Sequence, residues 1–277
     1  MASFNFCKMH GLGNDFVIID GISQPIDIQS LSIPNLADRH LGIGFNQLLF
    51  IYPTKKADVA CQIFNADGSE AEQCGNGMRC VARFLHEEKL TDKKSLRIET
   101  KAGIMQVLIT NYDDIQVNMG NPCFEPDAIP CKANQIKKRY ELPLDENQAH
   151  LTMAVLSMGN PHAILQVDSI LDFPVEKIAP QIARHAFFPR GTNVGFMEIV
   201  DPKHIRLRTY ERGVGETVAC GSNACAAVVS GIQNHSLDHK VKVELRYGTL
   251  WIEWDGAKGP VLMSGPAARV FSGSASY

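Results

Sequence analysis

The chain has 277 residues, with 27 Lys and Arg against 30 Asp and Glu, a net charge of −3 and a hydrophobic content of 45%. This is the balance of an ordinary soluble globular protein; it gives no basic run for nucleic acid and no apolar run long enough for a bilayer. The opening MASFNFCKMHG lacks the charged start and apolar core of a secretion signal, so a cytoplasmic setting is expected, with neither nucleic acid nor membrane as partner.

The first half opens with a strand at 4–9, a turn, and a second strand at 16–20. Gly-Leu-Gly-Asn at 11–14 suggests a dinucleotide loop, but a β-branched run follows it and the full glycine pattern is missing, so that reading is set aside. A short helix at 35–42 precedes strands at 48–52 and 59–64. The turn-rich stretch at 65–75 then runs into a helix at 76–88, where Cys80, Val81, Phe84 and Leu85 make one apolar face. Strands at 96–100, 103–110 and 115–119 close the half. The second half repeats this order. Strands at 151–158 and 163–167 are followed by a helix at 175–187 despite its interior proline, strands at 194–200 and 204–210, a small-residue helix at 222–234, and strands at 242–247, 249–254 and 261–263.

A chain of this length is comfortable for two cores, and the repeat shows where they divide. Cys220-Gly221-Ser222 falls on Cys74-Gly75-Asn76 at an offset of 146, which also lays Glu216 on Glu70, Gly159-Asn160 on Gly13-Asn14 and Asn193 on Gln47. The expected domains are 1–118 with Cys74, a linker and start of the second half at 119–150, and 151–277 with Cys220. The fold class is α/β of an α+β-like kind, with two pseudo-twofold-related domains, each a mixed, antiparallel-rich sheet wrapped around a central helix.

Eight cysteines could form a disulfide framework, but such scaffolds serve short secreted chains. Zinc needs tighter clusters than Cys74 to Cys80 or Cys220 to Cys225 provide. Cys7, Cys61, Cys80, Cys123, Cys131 and Cys225 read as ordinary packed thiols. Cys74 and Cys220 differ because each precedes the first turn of a helix, where unpaired N–H groups favour a thiolate. If the two halves place both helix starts at one cleft, a thiol stands on each side of a bound carbon. One removes a proton and the other delivers one to the opposite face, inverting a stereocentre. The helix N–H groups would hold a carboxylate as its α-carbon becomes carbanionic.

HGLGNDF at 10–16, GFNQLL at 44–49, FNADGSEAEQCGNGMRC at 64–80, SMGNPH at 157–162 and YERGVGETVACGSNACAA at 210–227 resemble the diaminopimelate epimerase family, over essentially the whole chain. The resemblance implies a homodimer that interconverts LL- and meso-diaminopimelate for lysine and peptidoglycan synthesis, without pyridoxal phosphate, metal or other cofactor. It makes Cys74 and Cys220 the acid/base thiols, and Gly75, Asn76, Gly221 and Ser222 the helix-start positions at the reacting carboxylate. Asn14, Gln47, Asn65, Asn160 and Asn193 become polar substrate contacts, Glu211 and Arg212 meet the substrate's polar ends, and His162 with Glu211 tunes the thiols. Several positions depart from the family. Asn46 stands where aspartate is frequent, Asn223 where glycine is, Phe271 where a dimer-contact tyrosine is, and Arg190-Gly191-Thr192 replaces a more usual Arg-Val before Asn193. The competing readings are a proline or hydroxyproline racemase, in which histidine usually follows the first Cys-Gly where Asn76 stands here, and a redox switch built on the two cysteines.

Overall fold

The structure, a computed structural model, describes residues 3–144 and 149–276. The chain forms two compact units, one running to Asn118 and resuming at Ser264, the other Met119–Met263. The first contains β1 (Ser3–Gly11), β2 (Asn14–Asp20), α1 (Ile33–Ala37), β3 (Gln47–Tyr52), β4 (Val59–Asn65), β5 (Glu70–Ala71), α2 (Gly75–Glu87), β6 (Ser95–Thr100), β7 (Gly103–Asn111) and β8 (Asp114–Asn118). The second contains β9 (Tyr140–Leu144), β10 (Ala149–Ser157), β11 (Pro161–Gln166), α3 (Val175–Ala183), β12 (Asn193–Asp201), β13 (His204–Glu211), β14 (Gly215–Thr217), α4 (Gly221–Gln233), β15 (Lys240–Leu245) and β16 (Gly248–Glu253). The passage back to the first unit carries β17 (Leu262–Gly265), and β18 (Ala268–Ser276) ends the described chain.

The repeat is reproduced in the pairing. In the first unit β2 runs parallel to β3 with Phe16 opposite Gln47, and β3 antiparallel to β4 with Leu48 opposite Phe64. In the second, β11 runs parallel to β12 with His162 opposite Asn193, and Val194 lies opposite Tyr210. These are the same positions at the same offset. Each sheet then makes one further parallel step, β4 to β6 and β13 to β15, beside antiparallel hairpins such as β6 to β7 and β15 to β16. The mixed, antiparallel-rich architecture expected from the sequence is therefore present in both halves.

Each sheet packs on its long helix: α2 lies on β1, β2, β3, β7 and β8, and α4 on β10 to β13, β15 and β16. The single apolar face expected for α2 understates its burial. Gly75 through Ala82 are all buried, with Phe84 and Leu85, because the sheet curves around the helix. Small residues serve the same purpose in α4, where Ala224, Ala226 and Ala227 are fully buried.

The two units distribute one piece of bulk differently. In the first, Gly77 on α2 faces Leu49 on β3, whose methyl groups would stand 3.3 Å from a Cβ at Gly77. In the second, the strand residue is Gly195, and a Cβ there would lie 2.4 Å from the Asn223 Oδ1 on α4. Asn223 is fully buried and its amide donates to the Val194 carbonyl at 3.0 Å. The departure to asparagine at 223 is thus accommodated by glycine across from it. Gly195→Ala and Asn223→Gly should each destabilise, by about 1–3 kcal/mol. Combined, they should cost at least about 1 kcal/mol less than their sum. Urea unfolding of the four proteins checks this, and strict additivity would show that the two positions do not share the space.

Four sequence expectations are corrected. The segment 119–150, expected as a linker and start of the second half, carries β9 and contributes Ile129, Cys131, Tyr140, Leu142 and Leu144 to the second unit's core, so only the linker part of the expectation is corrected. The last residues, assigned to the second domain, pair with β1 from Ser3–Ser276 to His10–Ala268 and join the first unit. No alternation marks β18, yet Gly273 lies opposite Phe6, whose ring occupies the space a Cβ would need. The helix expected at 35–42 is Ile33–Ala37, started by Pro34 in its first turn, and that expected at 175–187 ends at Ala183. No helix among the described residues is long and apolar enough to cross a membrane.

Candidate active site

In the first unit, Asn14 opens β2, Gln47 opens β3 and Asn65 ends β4, and the pairing brings these three ends to one edge of the sheet. The Gln47 amide donates to Asn65 Oδ1 at 2.9 Å, and Asn65 donates to the Ser69 hydroxyl at 3.0 Å. The start of α2 lies at the same edge, since the Asn76 amide donates to Asn14 Oδ1 at 3.2 Å. Cys74 caps that helix with extended backbone, φ −152° and ψ 103°, and its Sγ accepts the Gly77 N–H at 3.4 Å. The helical ladder begins with Met78 N–H to the Cys74 carbonyl, so the Gly75 and Asn76 N–H groups stand ahead of it. A thiol here meets the donors that a thiolate, or a bound carboxylate, would use.

Asp15, beside Asn14, fixes the loop that delivers Gln47. It accepts from Lys8 at 2.7 Å and from both Arg39 nitrogens at 2.7 and 3.0 Å, while Lys8 also donates to the Gly44 carbonyl. Burial alone would raise the Asp15 carboxyl, but the Arg39 and Lys8 donors outweigh it and hold the group below its ordinary range. Asn46 completes the arrangement. Its N–H donates to Asp15 Oδ1 at 3.1 Å and its Oδ1 accepts the Asp15 N–H at 3.2 Å. An aspartate at 46 would accept that N–H equally well, so the departure leaves this contact intact.

The second unit builds the matching edge with different chemistry. Asn160 precedes β11, Asn193 opens β12, Glu211 ends β13, and Cys220 caps α4 with φ −128° and ψ 113°. Here the ladder begins at Ala224, leaving the Gly221 and Ser222 N–H groups ahead of it. The Cys220 Sγ lies 3.4 Å from the Ser222 hydroxyl. Burial, followed by the neighbouring Glu211 carboxylate, pushes the Cys220 thiol well above its ordinary value, with Ser222 and the Asn223 N–H opposing. Glu211 is raised by burial as well, while the Thr217 hydroxyl, donating at 2.6 Å, and the Cys220 thiol pull it back down. A buried carboxylate and a thiol sharing a hydrogen bond give a proton donor held in its SH form.

His162 is fully buried and its Nε2 lies 2.9 Å from Asn160 Oδ1. An amide oxygen accepts, so Nε2 carries the proton of the neutral ring and Nδ1 is the lone-pair nitrogen. Burial, then the Arg212 charge, brings its pKa down to about 3. Asn193 accepts the Arg212 N–H at 3.0 Å and donates to the Pro161 carbonyl at 3.1 Å, joining the starts of β11 and β12 to the end of β13. The Arg212 guanidinium is exposed and donates to the Arg190 carbonyl at 2.9 Å. Gly191, at φ +68°, makes the departure Arg-Gly-Thr workable, because the Arg212 side chain lies 3.1 Å from where a Cβ would be.

Two residues that support the site have roles the sequence reading does not assign: Thr217, which fixes Glu211, and Arg79, which fixes Asn76. Thr217 carries no signal in the sequence, and Arg79, with Asn76 three residues before it and Arg83 four after, reads there as part of a polar helix face. The contrast between the thiols also has a consequence. Cys74 is half-buried and Cys220 buried with its thiol held protonated, so iodoacetamide should alkylate Cys74 at least about tenfold faster at neutral pH. Peptide mapping against time reads the ratio; equal rates would remove the asymmetry.

A sequence profile of the diaminopimelate epimerase family matches residues 6–125 and 154–270. Relatives named diaminopimelate epimerase from Ectopseudomonas mendocina and Stutzerimonas stutzeri are 48% and 49% identical over 270 residues, covering 97% of this chain and 97% of each relative. Among solved structures, a Bacillus anthracis phenazine biosynthesis protein of the PhzF family superposes with a TM-score of 0.73 at 21% identity, covering 100% of both chains. A hydroxyproline epimerase from Agrobacterium vitis follows at 0.71 and 12% identity, covering 98% of this chain and 92% of its own. At those identities the two structures show a shared fold, which is the mixed, twice-written sheet described above. The matched segments contain both capping cysteines and the amides at both sheet edges, and with near-half identity along nearly the whole length, the chain belongs to the diaminopimelate epimerase family.

Proposed function

We propose that the chain interconverts LL- and meso-diaminopimelate by a two-base mechanism, needing no cofactor, with Cys74 and Cys220 as the acid/base pair. The observation that carries this is that a cysteine caps the central helix of each repeat at the equivalent position, each beside helix-start N–H groups. In the reaction one sulfur, as thiolate, takes the α-hydrogen, and the electron pair left behind delocalises into the α-carboxylate. The N–H groups of Gly75, Asn76, Gly221 and Ser222 bind that growing negative charge. The other sulfur, as thiol, delivers its proton to the opposite face, and the protonation states of the two sulfurs are exchanged at the end of the turnover. Cys220, which rests as a thiol, is the donor for the isomer whose hydrogen faces Cys74. Asn14, Gln47, Asn65, Asn160 and Asn193 bind the substrate's amino and carboxylate groups. Glu211 and Arg212 meet its polar ends, where the planar Arg212 fork suits a carboxylate. His162 and Glu211 act on the thiols' proton balance. The enzyme works in the cytoplasm as a homodimer.

The test is solvent deuterium. Offered LL-diaminopimelate and L-proline side by side in deuterium oxide, the protein should wash label into diaminopimelate while the other isomer accumulates, and leave proline unlabelled. Labelled proline would favour a racemase of the same fold, and no label in either would leave the redox reading of the cysteines.

A further inference from the structure

Arg79 is fully buried on α2, three residues beyond Asn76 and so on the same side of the helix. Its Nη1 donates to Asn76 Oδ1 at 2.9 Å and its Nε to the Pro266 carbonyl at 3.1 Å. Gly11 leaves room for it, since a Cβ there would come within 2.8 Å of Nη2. A guanidinium offers donors only and keeps its proton under all conditions relevant here. Asn76 must therefore turn its oxygen toward Arg79 and its NH2 away, and that NH2 donates to Asn14 Oδ1 at 3.2 Å. With its oxygen taken, Asn14 turns its own NH2 outward, 3.5 Å from an Asn46 Oδ1 that already accepts the Asp15 N–H at 3.2 Å. Asn76 and, through it, Asn14 are thus oriented from the α2 side by a group that cannot reverse, while Asn46 is held separately by the Asp15 N–H.

We infer that Arg79 is a positioning residue for substrate binding: through Asn76 it makes Asn14 present N–H, not C=O, to the carboxylate that binds there. This rests on the reading of Asn14 as a substrate contact. An isolated pair of amides can exchange N and O by rotation at little cost. With the wrong face forward a carbonyl would meet a carboxylate, and a charge-assisted hydrogen bond would become a repulsion. The second unit offers no substitute. At the same offset Arg79 corresponds to Cys225 and Asn76 to Ser222, so the amide chain is written in one half only.

Arg79→Lys keeps charge but not the fork, and Asn76→Ser, which places the second unit's residue at 76, breaks the chain with Arg79 intact. Each should raise KM for LL-diaminopimelate roughly tenfold, the loss of one hydrogen bond to a charged group, with kcat changed less than about threefold. In an Asn14→Ala background neither should add more than about twofold, because Asn14 is the route of the effect. Selective 15N labelling of asparagine supplies a readout without substrate. The Asn76 side-chain NH2 should exchange slowly in the wild type and rapidly in Arg79→Lys. If the wild type fails to turn over diaminopimelate, the functional reading fails and this amide signal alone decides the positioning role. Unchanged KM in a folded variant, a penalty that adds in full to that of Asn14→Ala, or an unchanged Asn76 signal overturns the inference.

Discussion

Replacing either Cys74 or Cys220 with alanine is expected to lower inversion in both directions by about 10³-fold or more, since each turnover needs one group to take a proton and another to give one. Proton exchange should survive in part. Each variant retains one helix-start thiol and the helix-start N–H groups of both units, so the remaining sulfur can still remove the hydrogen that faces it and return one from solvent. Residual exchange should therefore favour opposite isomers in the two variants. Cys220→Ala carries a secondary effect, because Glu211 loses the thiol that helps hold its carboxylate charged and should titrate higher still. The experiment supplies LL- and meso-diaminopimelate in deuterium oxide to each variant and follows isomer and label together. Full inversion surviving in one variant would leave a single base and remove the two-thiol mechanism.

The two cysteines proposed for this chemistry are legible in the sequence because duplication repeats their setting. A cysteine between a turn-rich stretch and a helical pattern stands at a helix start, facing its unpaired N–H groups, and one offset finds the second from the first. Of the strand-end amides, Asn14 and Gln47 recur at the same offset as Asn160 and Asn193, while their part in substrate binding comes from the family resemblance. Gln47 and Asn193 occupy identical register positions, each opening its strand and lying opposite the equivalent residue, Phe16 or His162, of a parallel neighbour. Long-range packing is not legible. Nothing in Ala-Arg-Val-Phe-Ser-Gly-Ser-Ala-Ser announces a strand, because β18 takes its order from pairing with β1 and from the Phe6 ring over Gly273. The segment at 119–150 reads as a linker and start of the second half, and proline and charge obscure the apolar residues in it that reach the core. The role of Arg79 is hidden because its acceptors are an asparagine one turn away and the Pro266 carbonyl far along the chain.

His162 should make the protein lose stability in mild acid, and His162→Phe should remove that loss. In the folded protein the ring is neutral down to about pH 3, against an ordinary value of 6.5, first because it is buried and second because Arg212 is near. A base whose folded pKa is depressed binds fewer protons folded than unfolded, so below 6.5 the unfolded state gains protons that the folded state refuses. Stability then falls with pH from about 6.5 until the folded ring itself titrates near 3. At pH 5 the penalty from this one group is about 2 kcal/mol, because each pH step of one below 6.5 costs about 1.4 kcal/mol. The carboxylates with lowered values, such as Asp15 and Asp58, move from 3.8 downward and act mainly at lower pH, and Glu211, raised by burial and acting in the opposite sense, is common to both proteins, so the difference between them reports on the histidine. Phenylalanine is the appropriate replacement because Phe16 occupies the equivalent position of the first unit, in the same register opposite Gln47. The variant leaves Asn160 Oδ1 without its donor at every pH, an offset that cancels when each protein is compared with itself. Urea unfolding at pH 7.5 and 5 should show the wild type losing about 2 kcal/mol more than His162→Phe; equal losses would mean that the ring is charged, or solvated, in the native state.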